Sequence, residues 1–87
     1  MEGYGANVRL DGAEFADADV AARRFAGETG ATFVPAFDDD AVIAGQGSLG
    51  IELLADAPEM DTVLLPIGGG GLFAGVATAL KETNPKI

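Results

Sequence analysis

A run of four glycines, residues 68–71, carries the clearest signal for chemistry in this sequence. It follows the apolar residues 63–67, which are typical of a buried strand, and it precedes a helical pattern of apolar residues. A helix that begins directly after glycines leaves its first backbone N–H groups without partners. Those donors and the positive end of the helix dipole suit an anion, which glycine allows to come close. We therefore predict that the loop binds a cofactor phosphate; the alternative is that its glycines serve only packing.

The better-known phosphate motifs fit this loop poorly. Leu72 and Phe73 follow the glycines, where a P-loop has lysine and then serine or threonine. Gly69, Gly71 and Ala74 match only the relaxed form of the dinucleotide pattern. The acidic partner of that pattern, about 20 residues further on, would lie beyond the last residue. A nucleotide-binding half-domain is therefore the weaker alternative.

Other polar residues are expected to have structural roles. The aspartates at positions 38–40 could bind a hard cation, but they lack the spacing of a calcium loop. We predict instead that one of them caps the helix that follows. Gln46 and Ser48 could bind a ligand, although hydrogen bonds to the backbone are favoured. Glu52 is expected on an exposed helix face. We predict no metal site and no catalytic side chain among these residues.

The composition excludes several classes of protein. The 87 residues include 5 basic and 14 acidic ones, and the net charge of -9 opposes binding to nucleic acid or to an anionic membrane. Cysteine and histidine are absent, which removes disulfides, thiolate metal sites and the usual general base. No apolar run approaches the ~20 residues of a membrane span, and no signal-peptide pattern is present. We therefore expect a cytoplasmic protein with a solvated acidic surface.

The predicted secondary structure alternates strands and helices. Strands are predicted over residues 6–10, 31–34 and 62–67, and helices over residues 15–29, 41–55 and 72–82. The order βαβαβα predicts an α/β fold with three parallel strands. Phe33 and Phe37 flank Pro35, where the second strand ends, and are expected to be core or loop anchors. Because Lys86 and Ile87 look like the start of a further strand, we expect a segment of a longer protein.

Glycines inside the predicted helices need a physical reason. Gly45, Gly47 and Gly50 each weaken the second helix by about 1 kcal/mol relative to alanine. Either another backbone passes close to this helix, or the helix breaks near Gly45. Gly71 and Gly75 are four residues apart in the third helix, so we expect them to let that helix pack closely on a strand.

Three stretches, residues 33–38, 42–48 and 63–72, follow one another in a characteristic order. In order and spacing they resemble the threonine dehydratase and serine racemase family, pyridoxal-phosphate enzymes of the tryptophan-synthase-β fold type (fold type II). The resemblance covers nearly the whole chain from Tyr4 onward. Ser48 stands where threonine is commoner in the family and keeps its hydroxyl.

The resemblance implies an α/β segment of a larger two-domain enzyme whose cofactor is pyridoxal 5'-phosphate. It assigns residues 1–40 to the small, mobile domain and residues 41–87 to the large cofactor-binding domain. The residues implied to hold the cofactor phosphate through their backbone amides are Gly68, Gly69, Gly70, Gly71 and Leu72. The implied partners are a small amino-acid substrate, the remaining parts of the parent enzyme and further copies in a homo-oligomer.

The reaction implied by the family is β-elimination of water from threonine or serine, which yields a 2-oxo acid and ammonia. In such enzymes a lysine forms the Schiff base with the cofactor and takes the substrate's α-proton. Lys81 and Lys86 are the only lysines here and match no such motif. The chain alone is therefore expected to be inactive as an ammonia-lyase. The alternatives are a non-catalytic regulatory or association module and the nucleotide-binding half-domain.

Overall fold

The computed structural model describes all 87 residues and contains three α-helices. They are α1 (Phe15–Thr29), α2 (Asp40–Asp56) and α3 (Gly71–Thr83), and a 3-10 helix, Glu2–Tyr4, precedes them. The bounds of α1 are those predicted, while α2 and α3 extend slightly beyond theirs. The chain forms two compact units, Met1–Phe33 and Val34–Ile87. The domain boundary expected after residue 40 stays a prediction.

The structure contains no β-strand, so the predicted βαβαβα order with three parallel strands is wrong. Residues 6–10, 31–34 and 62–67 lie in irregular backbone and make no backbone–backbone hydrogen bond. A run of apolar, β-branched residues indicates that a segment could pack as a strand in a covered sheet. A strand forms only where a neighbouring segment pairs with it through backbone hydrogen bonds. None of these stretches pairs with another. Leu64 and Ile67, expected in a buried strand, are 92% and 66% exposed.

Local signals explain where the helices begin and end. Gly30 follows α1 in the left-handed region, with φ 74°, and its N–H donates to the carbonyl oxygen of Ala26. Before α2, a carboxylate oxygen of Asp39 accepts from the N–H groups of Ala41 at 2.9 Å and Val42 at 3.1 Å. The prediction that one of the three aspartates caps this helix is therefore confirmed.

Replacing Asp39 with alanine is expected to lower the free energy of unfolding by about 1 kcal/mol, because two amides at the start of α2 lose their acceptor. Asp38→Ala is the matched control, since Asp38 is exposed and caps nothing. Urea denaturation of both variants measures the difference. Equal losses of unfolding free energy in the two variants would mean that removal of a negative charge, rather than loss of the cap, lowers the stability.

Helices α2 and α3 pack backbone to backbone. A Cβ atom at Gly75 would collide with the carbonyl oxygen of Ile43 and lie 2.7 Å from the nitrogen of Gly47. A Cβ atom at Gly50 would lie 2.9 Å from the Cβ atom of Ala79. A close backbone therefore explains Gly47 and Gly50 but not Gly45, where a Cβ atom would meet nothing within 4 Å, and α2 is unbroken. The expectation that Gly75 packs on a strand is wrong, because its neighbour is a helix.

The buried hydrophobic residues, Val76 and Leu80, both lie on α3. In the first unit no residue of α1 is buried. There the guanidinium of Arg23 lies 4.3 Å from the ring centroid of Phe33, an arrangement that favours cation–π attraction. No helix is both long and apolar enough to span a membrane. The firm packing of this chain is therefore the α2–α3 pair, and α3 is the helix that begins at the glycine loop.

Candidate functional site

The glycine loop leads directly into α3. Gly71 is the first residue of the helix, and Gly70 is the N-cap residue, with φ 93° and ψ −11°. This φ lies in the left-handed region, which glycine adopts without steric cost. The carbonyl oxygen of Gly70 accepts from the N–H of Ala74 at 2.8 Å. The N–H groups of Gly71, Leu72 and Phe73 come before this bond and have no acceptor within the helix.

No carboxylate caps the start of α3, in contrast to the other helices. Its first turn contains no acidic residue, and no side chain accepts from its cap. Asp39 caps α2, and near the start of α1 the carboxylate of Asp17 accepts from the N–H groups of Ala13 and Glu14. A chain with 14 acidic residues thus leaves this one helix start clear of them. The positive end of α3 is available to an anion from outside the chain.

A cavity of about 290 Å³ lies at this helix start. Its lining residues are Ala36, Phe37, Gln46, Pro66, Gly68, Gly69, Gly70, Gly71, Leu72 and Phe73. All five residues predicted to bind the phosphate are among them, so the structure brings them together around one space. No charged side chain belongs to the lining. The polar groups offered to a ligand are backbone amides and the side chain of Gln46.

The four glycines of the loop have different reasons to be glycine. A Cβ atom at Gly69 would collide with the ring of Phe37, and one at Gly71 would lie 2.9 Å from the Phe37 carbonyl oxygen. Gly70 needs its positive φ. Gly68 has neither reason: its φ is not in the left-handed region, and a Cβ atom there would meet nothing within 4 Å. At Gly68 the missing side chain leaves open space beside the cavity.

The remaining polar candidates lie outside this arrangement, with one exception. The hydroxyl of Ser48 donates to the carbonyl oxygen of Gly45 at 2.8 Å, which is the expected backbone bond. Glu52 is exposed, as predicted. Close groups of three or more acidic side chains that could hold a metal ion do not occur. Gln46 is the exception, because it lines the cavity.

Both lysines lie far from the loop. Lys81 is ten residues after Gly71, so at a rise of about 1.5 Å per residue it is roughly 15 Å along the axis of α3. Its ammonium group donates to the carbonyl oxygens of Pro85, at 3.1 Å, and Ile87. Lys86 follows the helix and is exposed. No amine therefore belongs to the site.

The sequence did not place Phe37 or Gln46 at the glycine loop, although Gln46 was considered as a possible ligand-binding residue. Phe37 was expected as a core or loop anchor, and its ring and its carbonyl group both contact the glycine loop. These residues are more than 20 positions before the loop in the sequence, and the contact comes from the packing of α2 on α3. No local sequence pattern predicts this contact. The sequence signal for Gln46 was its place beside Gly47, where α2 approaches the backbone of α3.

Comparisons with known proteins give a consistent result. A family model with the description "pyridoxal-phosphate dependent enzyme" matches residues 1–87 of this chain. An L-threonine ammonia-lyase of Geobacter sulfurreducens is 51% identical over 84 residues, which are 97% of this chain and 21% of that protein. A catabolic L-threonine dehydratase of Staphylococcus aureus is 49% identical over 86 residues, which are 99% of this chain and 25% of that protein.

A solved structure also matches the fold. The structure of maize serine racemase superposes with a TM-score of 0.88 at 38% sequence identity, over 99% of this chain and 26% of the other. The present chain therefore spans about a fifth to a quarter of the length of these relatives.

Proposed function

Because the chain belongs to the family of pyridoxal-phosphate dependent enzymes, we propose that its glycine loop holds the phosphate group of pyridoxal 5'-phosphate. The resemblance to threonine dehydratases and serine racemases, and with it the cofactor, is confirmed by the family match and by the relatives. The binding residues proposed are Gly68, Gly69, Gly70, Gly71 and Leu72.

One observation carries this proposal: the start of α3 is uncapped and faces a cavity lined by the glycine loop. A phosphate accepts hydrogen bonds and carries negative charge, and the site offers free N–H donors with no carboxylate in the cavity lining or in the first turn of α3. The open space at Gly68 leaves room for an anion to approach the backbone. The residues present therefore fit the phosphate end of the cofactor.

The site's own part in the chemistry is to bind and orient. When bound, the cofactor serves as an electron sink for charge that develops on an amino-acid substrate. The backbone amides of residues 68–72, with those of Gly71 and Leu72 free at the start of α3, would hold the phosphate end and orient the cofactor. Since Lys81 is distant and already hydrogen-bonded, no residue here moves the substrate's proton. This chain alone is therefore expected to release no ammonia from threonine.

For the whole enzyme we propose dehydration of a hydroxyamino acid, threonine or serine, to a 2-oxo acid and ammonia. Support comes from the threonine ammonia-lyase and dehydratase relatives, at 51% and 49% identity. A small amino acid is accordingly the proposed substrate. We further propose that residues 1–40 belong to a small domain and residues 41–87 to a large one, in a cytoplasmic enzyme.

The proposed partners are the remaining parts of the parent enzyme and further copies of it. Large apolar side chains in irregular backbone support this part of the proposal, since Leu10 is 94% exposed and Leu64 is 92% exposed. Apolar surface of this kind is usually covered by another segment or subunit.

Titration with pyridoxal 5'-phosphate, followed by amide NMR shifts, tests the cofactor site. We expect the largest shifts at residues 68–72, because these amides would gain a charged acceptor. Inorganic phosphate should shift the same amides, whereas pyridoxal, which lacks the phosphate, should not. Shifts spread over the acidic surface, or none at these residues, would contradict the proposal. Binding of NAD or ATP without binding of pyridoxal phosphate would favour the nucleotide alternative.

A further inference from the structure

Phe37 packs against the glycine loop. A Cβ atom at Gly69 would collide with the Phe37 ring, and one at Gly71 would lie 2.9 Å from the Phe37 carbonyl oxygen and 3.0 Å from its Cα atom. Ring and backbone of one residue thus contact alternate positions of the loop. A side chain at either glycine would require Phe37 to move. The two positions and Phe37 are therefore sterically coupled.

Phe37 is itself held by the start of α2. Its carbonyl oxygen accepts a hydrogen bond from the N–H of Asp39 at 3.2 Å. Asp39 in turn caps α2 through the N–H groups of Ala41 and Val42. Contacts and hydrogen bonds thus run from the capped start of α2, through Phe37, to the uncapped start of α3.

We propose that Phe37 is a positioning residue that sets the shape of the glycine loop and thereby its affinity for phosphate. The proposal rests on the function proposed above. Phe37 is 40% exposed and lines the cavity, so core burial does not account for an aromatic ring at this place. Consecutive glycines have the greatest backbone freedom of any residues, and their amides bind an anion well only when held in one arrangement. The Phe37 ring restricts the backbone freedom of the loop at Gly69.

The first test compares phosphate affinity among variants of the full chain. Phe37→Ala should raise the dissociation constant for inorganic phosphate about tenfold, since ordering a loop costs binding free energy of this order. Phe37→Tyr keeps the ring and should bind within about twofold of the unsubstituted chain. Leu49→Ala is the control for lost apolar area, because Leu49 is 39% exposed and does not line the cavity.

The second test needs no ligand. Gly69→Ala should lower the ratio of folded to unfolded protein about tenfold in the unsubstituted chain, because the new methyl group meets the Phe37 ring. In the Phe37→Ala background the space is vacated, and the same substitution should cost less than about twofold. Gly68→Ala, which meets nothing within 4 Å, should show no such dependence on Phe37. Urea denaturation of the four variants in each cycle measures the coupling.

The outcomes separate the two proposals. If the unsubstituted chain does not bind phosphate, the proposed function and the affinity role of Phe37 both fail. If it binds and Phe37→Ala binds equally well, only the role of Phe37 fails. Additive effects of Gly69→Ala and Phe37→Ala also overturn that role. Weakened binding in Phe37→Ala, recovery in Phe37→Tyr and a coupled cycle together support it.

Discussion

Alanine in place of Gly75 is expected to lower the free energy of unfolding by about 3 kcal/mol, because it forces two helix backbones apart. The new Cβ atom would collide with the carbonyl oxygen of Ile43 and lie 2.7 Å from the nitrogen of Gly47. Backbone atoms cannot rotate aside as the end of a long side chain can, so α2 and α3 must separate. That separation also loosens Val76 and Leu80, the buried hydrophobic residues of the chain.

Gly45→Ala is the matched control for this substitution. Gly45 also lies inside a helix, but a Cβ atom there would meet nothing within 4 Å. Alanine at Gly45 is therefore expected to raise the free energy of unfolding by about 1 kcal/mol, because alanine has less backbone freedom than glycine in the unfolded chain. Urea denaturation of both variants should give shifts of opposite sign. A stabilising effect of Gly75→Ala would rule out the close contact between α2 and α3.

Glutamate in place of Phe73 is expected to weaken phosphate binding at least tenfold while leaving the fold intact. The negative carboxylate would repel the phosphate dianion, which costs about 1.4 kcal/mol or more of binding free energy. Phe73 lies in the first turn of α3, lines the cavity and is 45% exposed. A carboxylate there would interact favourably with the helix dipole, by about 0.5 kcal/mol. It would occupy the positive helix end that a phosphate would otherwise use. Stability and affinity should therefore change in opposite directions.

Phe73→Gln is the reference for this variant, because glutamine has the size of glutamate without its charge. The ratio of the two dissociation constants for inorganic phosphate isolates the electrostatic part. The ratio should grow at low ionic strength, where a partly exposed charge is less screened. Equal affinity of the Glu and Gln variants would show that the anion is not held at the start of α3.

The helices could be predicted from the sequence because their signals are local. Apolar residues at helical spacing, the capping carboxylate of Asp39 and the left-handed Gly30 act within one or two turns of the chain. The strands could not be predicted in this way. Residues 62–67 have the composition of a covered strand, yet whether they pair depends on a neighbouring backbone that a local pattern does not describe.

For the site, the glycine run and the helix after it were enough to locate the loop and to indicate an anion. The family resemblance, confirmed by the relatives, supplied the cofactor. The wall of the cavity was beyond sequence reasoning, because Phe37 and Gln46 reach the loop only through the packing of α2 on α3. The sequence likewise did not show that a side chain at Gly69 or Gly71 would collide with Phe37.

By itself, then, the amino-acid sequence determined the three helices, the position of the glycine loop and the family. The tertiary structure decided which residues surround that loop, why α2 carries Gly47 and Gly50, and that no strand forms. The division has one physical cause. Helix hydrogen bonds and caps join residues a few positions apart, whereas ladders, backbone contacts between helices and cavity walls join residues that are distant in the chain.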